Sequence, residues 1–585
     1  MILNNLTREQ KLAVQQDGHV LLSACPGSGK TRTIIHKLAY ESSRLDDNSK
    51  KKVVAVTFTI RASDEIFNRL NRMSIDSSRI WSGTLHSFCL EWILKPYSCY
   101  LLELQNGYTI ADEAYKISLI NDLKEKYRVN LYIDNTRLDR NGSFVESDNR
   151  KKAILNYYHQ DLKEQKLIDF DLLLYYSYQL LVTYPKIGRV LSNLFHLICV
   201  DEYQDTQDLS YAIICNIINA NNGNTSLFLA GDIDQAIYHS LGGVAKNKTE
   251  IESELNGQKI IEMSLTGNFR STQRIIDYYN SFQSNPIPII AQGANANEQG
   301  VISYNNTVNQ DELVNELVRL IQENINNGIA ENEICVLFPQ WWLITSITGK
   351  LKPLLPDVNF DASGLAPMSK NRDNFWYTLS HLFLTESSPT IYSLRYKWAK
   401  ELIDKFHEHT GTEFPEPYYI ERNILRLTNS ITSDKTEVVS YLEDCFFQFA
   451  NKLNLDSKKY PSLGESWKVY FKNIKLRLND RSYNVPSDID SFKKLYKERG
   501  GIVINTCMGI KGEEFETVIA FGLLNGYIPH SNEASPHHAS NKMMYVISSR
   551  AKKNLHLISE TGRMIRDSNG VATPVLSNKR YTYDK

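Results

Sequence analysis

A chain of 585 residues, 42% hydrophobic and 23% charged, has the make-up of ordinary globular protein and room for about three or four domains. Its formal net charge of -1 excludes a chain that grips nucleic acid by bulk charge, so any nucleic-acid path must be a local groove of chosen residues. No apolar run approaches the roughly 20 residues of a membrane span, which sets the membrane-spanning classes aside. Met1-Ile2-Leu3-Asn4-Asn5 lacks the basic and apolar regions of a signal peptide. The eight cysteines show no CxxC pair, so free thiols, a reducing compartment and a cytoplasmic location are expected.

In chain order, Thr7 can cap a short helix through Val14, and that helix carries Gln10. A glutamine amide offers a donor and an acceptor together, which suits the N6/N7 edge of adenine; a surface helix with a glutamine is the plain alternative. Val20-Leu21-Leu22 then reads as a buried strand, followed by Ala24-Cys25-Pro26-Gly27-Ser28-Gly29-Lys30-Thr31 and a helix from Thr33 to Tyr40. Such a loop presents successive backbone N–H groups and a helix N-terminus to a phosphate chain. Lys30 supplies a charge for the β/γ-phosphates, and the Thr31 hydroxyl is a candidate Mg²⁺ ligand. Ala24 stands where the pattern has its leading glycine.

Lys52 to Thr57 forms a second strand that ends in Thr57-Phe58-Thr59. A strand tip of hydroxyls and an aromatic can stack a base and bond a backbone phosphate, although a core phenylalanine would give the same pattern. Trp81-Ser82-Gly83-Thr84-Leu85-His86 repeats the theme. Residues from about 91 to 185 are rich in tyrosine, lysine and leucine at helical spacing, an inserted helical segment. Leu197 to Val200 reads as another buried strand, running into Asp201-Glu202-Tyr203-Gln204-Asp205-Thr206. At that tip Asp201 can hold Mg²⁺ through a water, and Glu202 can orient and deprotonate an attacking water. The strand from Ser226 to Ala230 leads to Gly231-Asp232-Ile233-Asp234-Gln235, where Gln235 is placed to sense a γ-phosphate.

Together with Gly267-Asn268-Phe269-Arg270-Ser271-Thr272, Thr506-Cys507-Met508-Gly509-Ile510-Lys511-Gly512-Glu513-Glu514-Phe515 and Tyr545-Val546-Ile547-Ser548-Ser549-Arg550-Ala551, these motifs resemble, in order, those of superfamily 1 DNA helicases. Within that superfamily they are most similar to the UvrD/Rep/PcrA group. The resemblance implies an α/β fold of two RecA-like parallel-sheet domains, each carrying a mainly helical insertion. The implied parts are 1-89 with 187-256, the insertion 90-186, 257-374 with 497-585, and a reduced insertion 375-496.

It implies ATP and Mg²⁺ as cofactors, the phosphate loop with the following Arg32 as nucleotide-binding residues, and Arg270 and Arg550 brought by the second domain to the γ-phosphate. Phe269 would stack on adenine opposite Gln10, and Glu514 would meet the ribose. Thr57, Phe58, Thr84, His86 and Thr506 would line single-stranded or tailed duplex DNA, with 3′→5′ polarity. His86 as a structural histidine is an equal alternative, and His530, His537 and His538 read as loop residues without metal-ligand spacing.

Four departures stand out. Ser240 and Leu241 replace the group's Trp-Arg pair, Met508 its histidine, and Ser549 its threonine. The acidic and basic residues that usually precede Tyr545 give way to Ser540-Asn541-Lys542. These changes fall on the coupling of hydrolysis to strand movement more than on hydrolysis itself. Two functions follow from the sequence: an ATP-driven translocase and helicase, or a DNA-dependent ATPase subunit of a larger repair or defence complex, such as a Gabija-type anti-phage pair with a nuclease partner.

Overall fold

The computed structural model describes residues 2–584 except 74, 112, 222–223, 239–241, 285, 341–342, 363–373, 389–390, 457, 480–486, 490–492, 494–500, 531–532, 534 and 567. The chain forms two compact units, Met1–Val301 with Glu533–Lys553, and Ile302–Asn532 with Asn554–Lys585.

The first unit is built on a six-stranded sheet of β1 (His19–Ala24), β2 (Lys52–Thr57), β3 (Ile80–Thr84), β4 (Phe195–Asp201), β5 (Ser226–Gly231) and β6 (Ile260–Leu265), in the order β3-β2-β4-β5-β1-β6. Every neighbouring pair is parallel. Parallel strands are covered on both faces, which is why they read in the sequence as unbroken apolar runs. Alternate residues divide between two cores. Leu21, Val54, Ile198 and Leu229 enter one; Val20, Leu22, Val53, Leu197 and Phe228 enter the other. The expected strands at Val20–Leu22, Leu197–Val200 and Ser226–Ala230 are therefore present, each a residue or more longer.

Two helices frame the loop after β1. Helix α1 (Arg8–Gln15) starts with a capping box in which the Thr7 hydroxyl accepts from Gln10 N and the Gln10 side chain accepts from Thr7 N. Helix α2 (Lys30–Ser43) follows the loop directly. Between β3 and β4 the helices Glu113–Tyr127, Asn149–Glu164 and Phe170–Thr183 share the first of the two cores with the sheet, through Ile120, Leu155, Tyr158 and Leu173. The C-terminal piece of this unit is the helix Pro536–Ser548, whose Tyr545 meets Tyr279 edge-on at 5.3 Å.

The second unit carries β7 (Val301–Asn305), β8 (Ile334–Phe338), β9 (Phe360–Ala362), β10 (Ile502–Thr506), β11 (Phe515–Ala520) and β12 (Ala551–Ile558), ordered β7-β12-β11-β8-β10-β9. The pairs β8–β10, β8–β11 and β9–β10 are parallel. Strand β11 begins two residues before the expected Thr517, because Phe515 is buried and belongs to the strand. Between β9 and β10 lie Phe375–Leu384, Tyr392–Thr410, Glu421–Asn429, Val438–Lys452 and Pro461–Asn479, helices with a core of their own. Its centre is aromatic, with Trp376 at 4.7 Å from Trp467 and 5.2 Å from Phe446. The Trp376 indole donates to Leu463 O, so the buried N–H is satisfied. Among the described residues no helix is long and apolar enough to cross a membrane.

Candidate active site

Strand order brings the site together. With β4, β5 and β1 adjacent and parallel, their carboxyl ends lie side by side, Ser23 opposite Gly231 and Asp201 opposite Ala230. In open α/β sheets that edge is where ligands bind.

After β1 the loop turns through Gly27 (φ 73) and Gly29 (φ 79), both left-handed. A Cβ at position 27 would stand 2.7 Å from Arg270 Cβ, and one at 29 would stand 2.7 Å from Gln10 Nε2. Only glycine serves at either position. Helix α2 opens at Gly29 with no side-chain cap, which leaves its first-turn amides for an acceptor from outside the helix. The backbone thus fits a phosphate chain, and Thr31 and Asp201 are hard oxygen donors of the kind Mg²⁺ takes.

Lys30 lies between the carboxylates at the tip of β4, 3.5 Å from Asp201 and ion-paired with Glu202. Burial by itself would favour the neutral amine, but the Glu202 and Asp201 charges outweigh it and hold the Lys30 pKa above its ordinary value. Burial raises the Asp201 pKa, with Lys30 opposing. Glu202 has a left-handed backbone (φ 53), a conformation that costs a non-glycine residue about 1 kcal/mol or more and that clusters at functional sites. Gln204 donates to Glu202 Oε2 at 2.5 Å and accepts from Asp232 N at 3.1 Å, which ties the β4 and β5 tips together.

Past β5 the buried Asp232 accepts from Gln235 Nε2 (2.9 Å), Tyr545 Oη (3.0 Å) and Asp234 N (3.0 Å). Burial pushes its carboxyl up to about 6 against those hydrogen bonds. Gln235 Oε1 accepts from Arg550 Nη2 at 2.7 Å. Arg550 is itself buried, and its Nε donates to Val546 O. Arg270 Nη1 donates to Ser549 O, and the Ser549 hydroxyl accepts from Arg550 Nη2, so this departure from the group's pattern bridges both arginines. Both arginines belong to the same compact unit as the phosphate loop.

Gln10 Nε2 donates to Ser28 O at 2.9 Å, so its amide braces the loop. Phe269 N donates to Gly27 O while its ring is 41% exposed, a ring held beside the loop and open to a stacking partner. Arg32 is exposed and donates to Asn5 O. Ala24 and Pro26 are buried, and Pro26 O accepts from Asn268 Nδ2 at 2.6 Å. Asn268 Oδ1 accepts from Arg270 N and Ser271 N. Asn268, Gln204, Asp232 and Tyr545 lie within the motifs quoted above, but no role was legible for them, because each also bonds a partner distant in the chain: Pro26, Asp232, Tyr545 and Asp232 respectively.

A second group lies beside the acidic tip. A cavity of about 320 Å³ is lined by Thr57, Phe58, Thr84, His86, Glu202 and Tyr238, among others. Phe58 is 44% exposed and stacks on Tyr238 with ring centres 5.1 Å apart. Thr57 is buried and its hydroxyl donates to Thr59 O, whereas Thr84 caps the following helix by accepting from Ser87 N. His86 meets Phe170 edge-on at 5.0 Å, and burial lowers its pKa, which leaves it neutral. In the second unit Thr506 ends β10 and accepts from Gly509 N, and Glu514 is exposed just before β11. Ser240 and Leu241 lie outside the described residues.

A phosphate loop after β1, an acidic tip on the neighbouring strand and two six-stranded sheets define a nucleotide-binding α/β protein with two RecA-like domains. Residues 6–256 match the model of the UvrD/REP helicase N-terminal domain, and the chain is similar to the UvrD/PcrA-like proteins of helicase superfamily 1. It is 28% identical over 361 residues to the ATP-dependent DNA helicase PcrA of Staphylococcus aureus strain Mu50, covering 58% of this chain and 48% of that one. To the PcrA of Staphylococcus epidermidis strain ATCC 12228 it is 26% identical over 360 residues, with the same coverage. The chain thus spans about half the length of these relatives.

Proposed function

We propose that this protein hydrolyses ATP to move along single-stranded DNA. The observation that carries the reading is Lys30 held between Asp201 and Glu202 at the strand tips, with Gln235 bonded to Arg550 in the same unit. The loop amides and Lys30 bind the triphosphate, Thr31 and Asp201 would hold Mg²⁺, and Glu202 takes the proton from the attacking water. Mg²⁺ held there would supply charge neutralisation for phosphoryl transfer. Arg270 and Arg550 stabilise the charge of phosphoryl transfer, Gln10 and Phe269 take the adenine, Arg32 adds charge beside the phosphate loop, and Glu514 meets the ribose. Thr57, Phe58, Thr84, His86 and Thr506 form the DNA path, and polarity is 3′→5′, as in the group the chain resembles. The four-part division 1-89/187-256, 90-186, 257-374/497-585 and 375-496 belongs to the same reading.

The segment Gln235–Tyr238 supports coupling between the two groups of residues. At one end the Gln235 amide is bonded to Arg550; three residues on, the Tyr238 ring stacks on Phe58 beside the cavity. Phe58→Ala should weaken binding of a single-stranded oligonucleotide by roughly 5- to 150-fold, since base–aromatic stacking is worth about 1–3 kcal/mol. It should leave DNA-independent ATPase activity within about two-fold. Fluorescence anisotropy beside an ATPase assay reads both, and unchanged DNA affinity would remove Phe58 from the path.

A second reading rests on Ser240 and Leu241, which provide neither a stacking ring nor a cation where the related group has Trp-Arg. In it the chain is the DNA-sensing ATPase of a complex with a nuclease or other partner and unwinds little alone. A strand-displacement assay on a 3′-tailed duplex separates the two. Processive unwinding by the isolated chain supports the autonomous helicase. Stimulated ATPase with little displacement, raised by Ser240→Trp with Leu241→Arg, supports the subunit.

A further inference from the structure

We infer that Asp232 is a positioning residue that fixes which atom of Gln235 faces Arg550, an assignment that rests on the ATPase reading above. Three donors converge on this one buried side chain: Asp234 N at Oδ1, and Gln235 Nε2 and Tyr545 Oη at Oδ2. An ionised carboxylate accepts on both oxygens and donates on neither. The Gln235 amide therefore has one orientation, Nε2 toward Asp232 and Oε1 toward Arg550, and the 2.7 Å bond from Arg550 Nη2 depends on it. The reversed amide would set an NH₂ against a guanidinium, donor against donor.

The donors themselves are anchored. Tyr545 Oη also accepts from Gln283 Nε2 at 3.0 Å, and Asp232 N donates to Gln204 Oε1, whose own amide bonds Glu202. Asp232 thus links the helix that precedes Arg550 to the tip that carries the water-activating carboxylate. Its effect on Arg550 passes through Gln235.

Asparagine at 232 has nearly the same shape but keeps one acceptor and gains a donor. Its NH₂ must face either Asp234 N or the Gln235–Tyr545 pair. The second arrangement is satisfied by turning the Gln235 amide over, which breaks the bond to Arg550. A structural role and a positioning role are told apart by kinetics: lost packing would change KM and kcat together, whereas a misoriented Gln235 lowers kcat with KM unchanged.

The test compares wild type, Asp232→Asn, Gln235→Ala, the double variant and Lys30→Ala in DNA-stimulated ATPase assays. Asp232→Asn should lower kcat roughly 10- to 100-fold with KM for ATP within about two-fold. Adding it to Gln235→Ala should cost nothing further in kcat. Additive losses in the double variant, an equal rise in KM or unchanged kcat would overturn the assignment. Retained turnover in Lys30→Ala overturns the ATPase reading itself, a separate outcome.

Discussion

Glu202→Gln is expected to reduce DNA-stimulated ATP turnover by about 10²- to 10⁴-fold, the range a positioned general base contributes. Glutamine keeps the size of the side chain and can hold its place in the left-handed turn, so the loss reports chemistry rather than folding. Lys30→Ala should be at least as damaging to turnover, and for two reasons. It removes the charge that meets the phosphates. It also leaves Asp201, buried, and Glu202, partly exposed, facing each other without their cation. Breaking a fully buried ion pair from one side costs about 3–5 kcal/mol, and the partial exposure of Lys30 and Glu202 brings the cost below that range. Lys30→Ala should therefore melt lower than Glu202→Gln, while both lose turnover. Near-normal hydrolysis in either variant would remove the acidic tip and the phosphate loop from the chemistry.

The second large effect is expected at Arg550. Arg550→Ala should lower kcat by about 10³-fold or more, as loss of an arginine that stabilises phosphoryl transfer does, with a smaller change in nucleotide affinity. Its partners sharpen the expectation. Removing the guanidinium leaves Gln235 Oε1 and Val546 O without their bonds from Arg550 and empties a buried site. Arg550→Lys separates charge from geometry. A lysine restores a cation but not the fork that reaches Gln235 and Val546 together, so most of the loss should persist. Arg270→Ala should follow the same pattern with a milder effect on stability, because Arg270 is only partly buried. Equal losses in kcat and nucleotide affinity at both arginines would assign them a structural role.

Much of the architecture was legible in residue order alone. Parallel strands buried on both faces leave unbroken apolar runs, and Leu197-Ile198-Cys199-Val200 or Ile334-Cys335-Val336-Leu337-Phe338 can hardly be read otherwise. The loop Gly27-Ser28-Gly29-Lys30-Thr31 is legible because its chemistry needs adjacent residues: glycines in the left-handed region and a lysine at the helix start. Asp201 and Glu202 are legible for the same reason, being neighbours at one strand end.

What the sequence could not determine is every role assigned by a partner far along the chain. Asp232 reads as one more acidic residue until the fold brings Tyr545 to it across 313 positions. Thr57 and Thr84 look alike as hydroxyls at strand tips. Yet the sheet buries the first beside the neighbouring strand, where its hydroxyl also reaches Gly83 O at 3.4 Å, and leaves the second partly exposed as a helix cap. The stack of Phe58 on Tyr238 depends on the order β3-β2-β4-β5-β1-β6, which sets strand ends distant in the chain side by side. Local chemistry is written in adjacent letters. Hydrogen bonds and ring contacts between strand ends are decided only when the sheet has chosen its neighbours, since their energies depend on distances the linear chain does not contain.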